Sequence, residues 1–287
     1  MNHFFTSYPQ LAWPFTILTA WLLGEIGAYF TKVPRISFYI ILGFIVEKLK
    51  IDVLHSPENL WIINLVNIIA GMMLFEFGYR INLNWIKNNP IIIVMGIIES
   101  IVTFFSVYLL SIRFNISNMT SLEFSALSMA SSPFVIIYLI RQQHGSGQVT
   151  ERILHLTFLN TILAVSMFKL ILGLIVFNKL GDAWQAVFSS LITILLSVML
   201  GILMTLFLHL IIKRLSRIPQ NIPIAISLII IFMVAITKSF ELSTIIAALT
   251  FGLASRYINL EKAVELENVC NQLIIKRNYK IKHSPIW

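Results

Sequence analysis

Residues 125–139 read Ser-Ala-Leu-Ser-Met-Ala-Ser-Ser-Pro-Phe-Val-Ile-Ile-Tyr-Leu. The stretch is apolar enough for a helix, yet Pro133 sits in its middle. Proline removes a backbone donor and disfavours helical geometry at the residue before it, here Ser132. In water such a break is cheap. In lipid every freed carbonyl and amide has to find a partner inside the protein. The solvent around this stretch therefore decides the fold.

Composition identifies that solvent. The 287 residues are 57% hydrophobic and only 12% charged, about half the charge of an ordinary soluble domain. A surface so poor in charge cannot face water, and the fold class expected is an all-α polytopic transmembrane bundle. Working outward from the proline, apolar runs fall at about 11–31, 34–47, 60–79, 90–112, 121–140, 152–178, 184–212, 221–238 and 241–257. Most have the roughly 20 residues needed to cross the hydrocarbon core. Residues 1–258 are expected to form one membrane domain and residues 259–287 a polar, basic cytoplasmic tail.

The net charge of +8 is spread through short loops and the tail, as membrane proteins distribute it, and no nucleic-acid motif accompanies it. Odd-numbered loops hold Lys32, Arg35, Arg80, Lys87, Arg141, Arg152, Lys213, Arg214 and Arg217. Even-numbered loops hold only Lys48, Lys50, Arg113, Lys179 and Lys238. The excess places the N-terminus outside and the C-terminus in the cytoplasm of a cell (inner) membrane protein. The first ten residues lack Lys and Arg and no cleavage site follows, so the first apolar run reads as a retained helix. The single cysteine, Cys270, excludes a disulfide framework within the chain.

Polar groups at membrane depth are costly and so mark places of interest. Ser131 and Ser132 precede Pro133, and an unwound turn there frees oxygens for a cation. A plain proline kink patched by serine hydroxyls is the equal alternative. Asn160 and Thr161 lie in the middle of the next run. Glu76 ends the third run, either as an ion ligand or as an interfacial acid beside Arg80. Glu25 reads as reaching Lys32 or water. Lys169, too deep to reach the surface easily, calls for a carboxylate or a wet cavity, and Glu99 in the fourth run is the expected partner in a buried ion pair. Thr193, Ser197, Gly201 and Thr205 recur every fourth residue, a small-residue ridge for close helix packing, inside the chain or between subunits. The histidines are not at metal-ligand spacing, and no catalytic triad or phosphate-cradling loop is present, so neither a metal, a cofactor nor enzyme chemistry is expected.

Four stretches carry a resemblance. They are GEIGAYFTKVPRISFYIILGFIVE (24–47), MLFEFGYRINLNW (73–85), SALSMASSPFVIIYL (125–139) and ELSTIIAALTFGLAS (241–255). In order and spacing they resemble the monovalent cation:proton antiporter superfamily, with its sodium/proton-exchanger fold. The resemblance implies an alternating-access exchanger of a proton against Na⁺ or K⁺, with crossed broken helices. It puts Ser131 and Ser132 at broken-helix ligand positions, Glu76 at an acidic position used by some members, and Asn160 at the first residue of an Asn-Asp or Asp-Asp pair. Two departures stand out. Thr161 occupies the place of the pair's aspartate, and a hydroxyl does not titrate near neutral pH. After Tyr257 no apolar run remains for a second broken helix. The expectation is therefore a truncated antiporter-type protein that does not exchange ions alone. The rivals are a carrier active only as an oligomer, such as a homodimer, and a non-transporting assembly protein that uses the basic tail.

Overall fold

The computed structural model describes residues 9–31, 33–48, 60–143, 145–178, 183–215 and 222–258. All the regular structure there is helical. In chain order the helices are α1 (Pro9–Thr31), α2 (Arg35–Lys48), α3 (Leu60–Arg80), α4 (Leu83–Asn88), α5 (Ile91–Arg113), α6 (Asn118–Ser128), α7 (Pro133–Gln143), α8 (Gln148–Asn178), α9 (Ala183–Leu215), α10 (Ile222–Ser239) and α11 (Thr244–Ile258). The chain is an all-α polytopic bundle. Among the described residues, four segments are long and apolar enough to cross a membrane, at 91–113, 118–142, 148–175 and 187–213, and shorter apolar helices lie at 35–46, 223–239 and 244–258. The tail expected at 259–287 lies outside the described residues.

The fifth apolar run is two helices rather than one kinked helix. Helix α6 ends at Ser128 and α7 begins at Pro133, with Met129–Ser132 unwound between them. Local sequence drives both ends. Tight turns from Met129 N–H to the Ala126 carbonyl and from Ala130 N–H to the Leu127 carbonyl close α6. Pro133 then opens α7 at a position where its missing N–H costs nothing. The Trp85 and Ile86 amides, three and four residues on, donate to the Asn82 carbonyl and start the short helix α4, which the apolar pattern does not announce. Asn82 caps it, its side chain accepting from the amides of Asn84 and Trp85.

Two compact units divide the chain. One comprises residues 1–66 and 138–145; the other comprises 67–137 and 146–287. In the first, α1 and α2 form a hairpin about Pro34. Gly24 faces the Tyr39 ring and Gly27 faces the Phe38 ring. Glu25 pairs with Arg35 across it at 3.1 Å, so its partner is Arg35 where the sequence suggested Lys32 or water.

In the second unit α8 packs against α5, α6 and α9, and α11 packs against α9 and α10. Helix α11 is the most enclosed, with Ile246, Ala247, Ala248, Leu249, Phe251, Gly252 and Ser255 buried. Glycines set that closeness. A Cβ on Gly201 of α9 would stand 2.6 Å from the Ala247 carbonyl oxygen and 2.9 Å from the Phe251 nitrogen. On the other side of α11, Gly252 meets the backbone of Phe75 and Tyr79, and Gly78 meets that of Leu249. Backbones this near exclude any side chain between them.

Candidate functional site

The break at 129–132 is held by α8, which packs against α6. The Thr161 hydroxyl of α8 donates to the Ser131 carbonyl at 3.2 Å and shares its proton with the Thr157 carbonyl one turn back at 2.7 Å. Adjacent on α8, Asn160 turns to α5, where its Oδ1 accepts from the Ser100 hydroxyl at 3.3 Å. Gly96, one turn before Ser100, leaves the room that Asn160 fills. Asn160 is 2% and Thr161 4% exposed. Two consecutive residues thus tie α8 to α5 on one side and to the unwound turn on the other. That arrangement follows from the 100° step between successive helix positions.

Serine hydroxyls line α6 towards the break. Ser125 donates to the Ser121 carbonyl at 2.6 Å, and Ser128 donates to the Ser125 carbonyl at 2.8 Å. Ser121 and Ser125 are fully buried, Ser131 is half-buried and Ser132 is exposed. The cluster around the break is made of hydroxyl, amide and carbonyl oxygens. Such oxygens suit a hard monovalent cation. None of these groups carries charge near neutral pH.

The expected acids lie elsewhere. Glu76 is bound by Arg80 of its own helix, Oε1 receiving Nη2 at 2.8 Å and Nε at 3.1 Å, as an interfacial acid would be. Arg80 is followed by the end of α3, whose Tyr79 and Arg80 carbonyls accept from Arg256 Nη1 at 3.2 and 2.7 Å. The pairing of Glu99 with Lys169 does not form. Ser100 takes the inward position on α5, which leaves Glu99 one step around on the exposed side. Lys169 instead donates to the Glu241 carbonyl at 3.4 Å, in an exposed contact.

The small-residue ridge is occupied within the chain. Ser197 accepts from the Ser243 amide at 2.9 Å, Thr205 donates to the Phe251 carbonyl at 3.2 Å, and Gly201 lies against Ala247 and Phe251. Thr193 donates to the Ser189 carbonyl of its own helix at 3.0 Å. At Ser197, Gly201 and Thr205 the ridge packs α9 on α11 within the chain. No cluster of metal-binding side chains occurs among the described residues.

A second polar knot escaped the sequence reading. His155, fully buried on α8, stacks on Trp85 of α4 with ring centroids 4.5 Å apart. Its Nδ1 faces the Glu151 carbonyl at 2.7 Å and its Nε2 accepts from the Asn82 amide at 3.1 Å. Beside it the Leu83 amide donates to the Tyr257 hydroxyl at 2.7 Å. The Glu151–His155 spacing of one helix turn was visible in the chain; Asn82, 73 positions away, was not.

An interrupted apolar helix whose unwound Ser131 carbonyl is bound by the Thr161 hydroxyl of α8 is an arrangement of the kind found in membrane carriers with discontinuous helices. The sequence profile of the transmembrane sodium/hydrogen exchangers matches residues 15–275, and the chain belongs to that family. A comparison with curated proteins gives no significant match. It is accordingly a multi-pass cation:proton antiporter-type transport protein, and its family are transporters rather than enzymes.

Proposed function

We propose that this chain presents a monovalent cation with an uncharged site at the 129–132 break, formed by Ser131, Ser132, Asn160 and Thr161, and that it does not on its own couple cation movement to a proton. One observation carries the reading: the side chain on the Ser131 carbonyl is the Thr161 hydroxyl. Exchange at a single site needs an acid that is either protonated or cation-bound. A threonine offers no such competition. The acid that the sequence reading offered as an ion ligand, Glu76, is engaged by Arg80.

The orientation that fits the loop charges puts the N-terminus outside and the C-terminus in the cytoplasm, in the cell (inner) membrane. A homodimer is the assembly that suits such a carrier, and neither nucleic acid nor a cofactor enters the reading.

The test is reconstitution of the full chain into vesicles carrying a pH gradient. Addition of Na⁺ or K⁺ is expected to leave the gradient intact. Cation-dependent collapse at a rate well above that of empty vesicles contradicts the proposal.

A further inference from the structure

Helix α5 is the least enclosed of the four long apolar spans. Only 17% of its apolar window is buried, against 28%, 28% and 33% in the others. One side of it is accounted for, since Gly96 and Ser100 turn to Asn160 of α8. Another face carries Glu99, Thr103 and Ser106. Positions i, i+4 and i+7 fall within about 60° of one another around a helix, so the three form a single stripe. Glu99 and Ser106 are exposed and Thr103 is half-buried. Beside them stand the exposed side chains of Met95, Val102 and Leu110.

Among the described residues none of these three polar side chains has a hydrogen-bond or ionic partner. That sets the two hydroxyls apart from Ser125, Thr161, Ser197, Thr205 and Thr250, which each donate to a carbonyl one turn back in their own helix. Depth makes the stripe costly. Glu99 is eight residues into α5, roughly 12 Å along a helix that crosses a hydrocarbon core of about 30 Å. Acids at such depth face other protein and pair with it. Lys169 does not serve, being held on the Glu241 carbonyl, and Arg113 stands at the far end of α5.

We propose that the Glu99–Thr103–Ser106 face of α5 is the docking surface for a transmembrane helix of another chain that bears a lysine or arginine at mid-span. Charge and hydrogen-bonding capacity choose that occupant. The stripe offers three acceptor groups, with the Glu99 and Thr103 positions about 6 Å apart along the axis and Ser106 the next turn on. An ammonium or guanidinium brings several N–H donors and no acceptor, so it meets the carboxyl and a hydroxyl oxygen together. A second copy of this chain docked through the same face would set Glu99 against Glu99. An all-apolar helix or a lipid chain would leave all three groups bare. The surface adjoins Ser100, whose hydroxyl holds Asn160, so a partner bound here touches the turn of α5 that positions the site at the break. It is independent of which ion the break holds.

The experiment uses the full chain in zwitterionic lipid vesicles, with a fluorophore on its single cysteine, Cys270. The probes are two leucine-based transmembrane peptides carrying the acceptor dye, one with a lysine at its centre and one without. Energy transfer to the lysine peptide is expected at about one-tenth of the peptide density that the all-leucine peptide requires. Glu99→Leu, at an exposed position of α5, should bring the two peptides level. Glu99→Lys should turn the preference towards a peptide with a central glutamate, a gain that a misfolded chain cannot give. Equal transfer to both peptides in the wild type, or a lysine preference that survives Glu99→Leu, overturns the proposal. So does transfer between copies of the chain that Glu99→Leu abolishes, which would assign the face to a second copy.

Discussion

Thr161→Val removes one hydroxyl and keeps the shape of the side chain. Two bonds go with it, to the Thr157 carbonyl at 2.7 Å and the Ser131 carbonyl at 3.2 Å. Thr157 lies inside α8, where its carbonyl keeps the helix's own bond. Ser131 lies in the unwound turn, so the loss concentrates there. Losing one neutral hydrogen bond costs about 1 kcal/mol net, and about 1–3 kcal/mol if the group left behind stays desolvated. Ser131 is half-buried, which argues for the lower end, about 1 kcal/mol or roughly a fivefold rise in local opening. Hydrogen exchange across residues 129–136 in nanodiscs reads this directly. Thr161→Ser keeps the donor and should retain wild-type protection. If Thr161→Val leaves exchange at the break within measurement error while the rest of the chain stays protected, the hydroxyl does not brace the break and the site geometry is wrong.

Further outcomes follow from the same contacts. Gly201→Ala puts a methyl 2.6 Å from the Ala247 oxygen and should cost about 1–3 kcal/mol by forcing α9 and α11 apart, with Gly201→Leu worse. Denaturant titration in mixed micelles measures it, and a loss below about 0.5 kcal/mol refutes the packing assignment. Arg256→Met strips two carbonyl partners from the end of α3 and should cost about 1–2 kcal/mol by the same titration; an unchanged midpoint would show that water replaces it.

What could be read from the chain was what is local. Pro133 with its serines located the break because proline acts on its own backbone and its immediate neighbour. The spacing of Thr193, Ser197, Gly201 and Thr205 announced a close helix approach but not against what, since the partner α11 begins dozens of residues later. Glu99 and Lys169 were matched by charge alone. Depth along a helix is legible from sequence, whereas direction around it depends on which neighbours arrive, and Ser100 had the inward place. Helix α4 is six residues long and mixed in character, too short for a periodic signal. His155 looked like an ordinary histidine because Asn82 and Trp85, which give it meaning, reach it only through the fold.

The three-layer contact of α3, α11 and α9 bears on how the protein moves. Where backbone oxygens sit in the space that Gly78, Gly252 and Gly201 vacate, the layers are keyed like the wards of a lock. Sliding one along its axis by even a fraction of a turn would drive a neighbouring residue's Cβ into a carbonyl. Thermal agitation of the bundle, and any transport cycle it supports, has to carry these three helices as a single rigid slab and find its compliance at other joints.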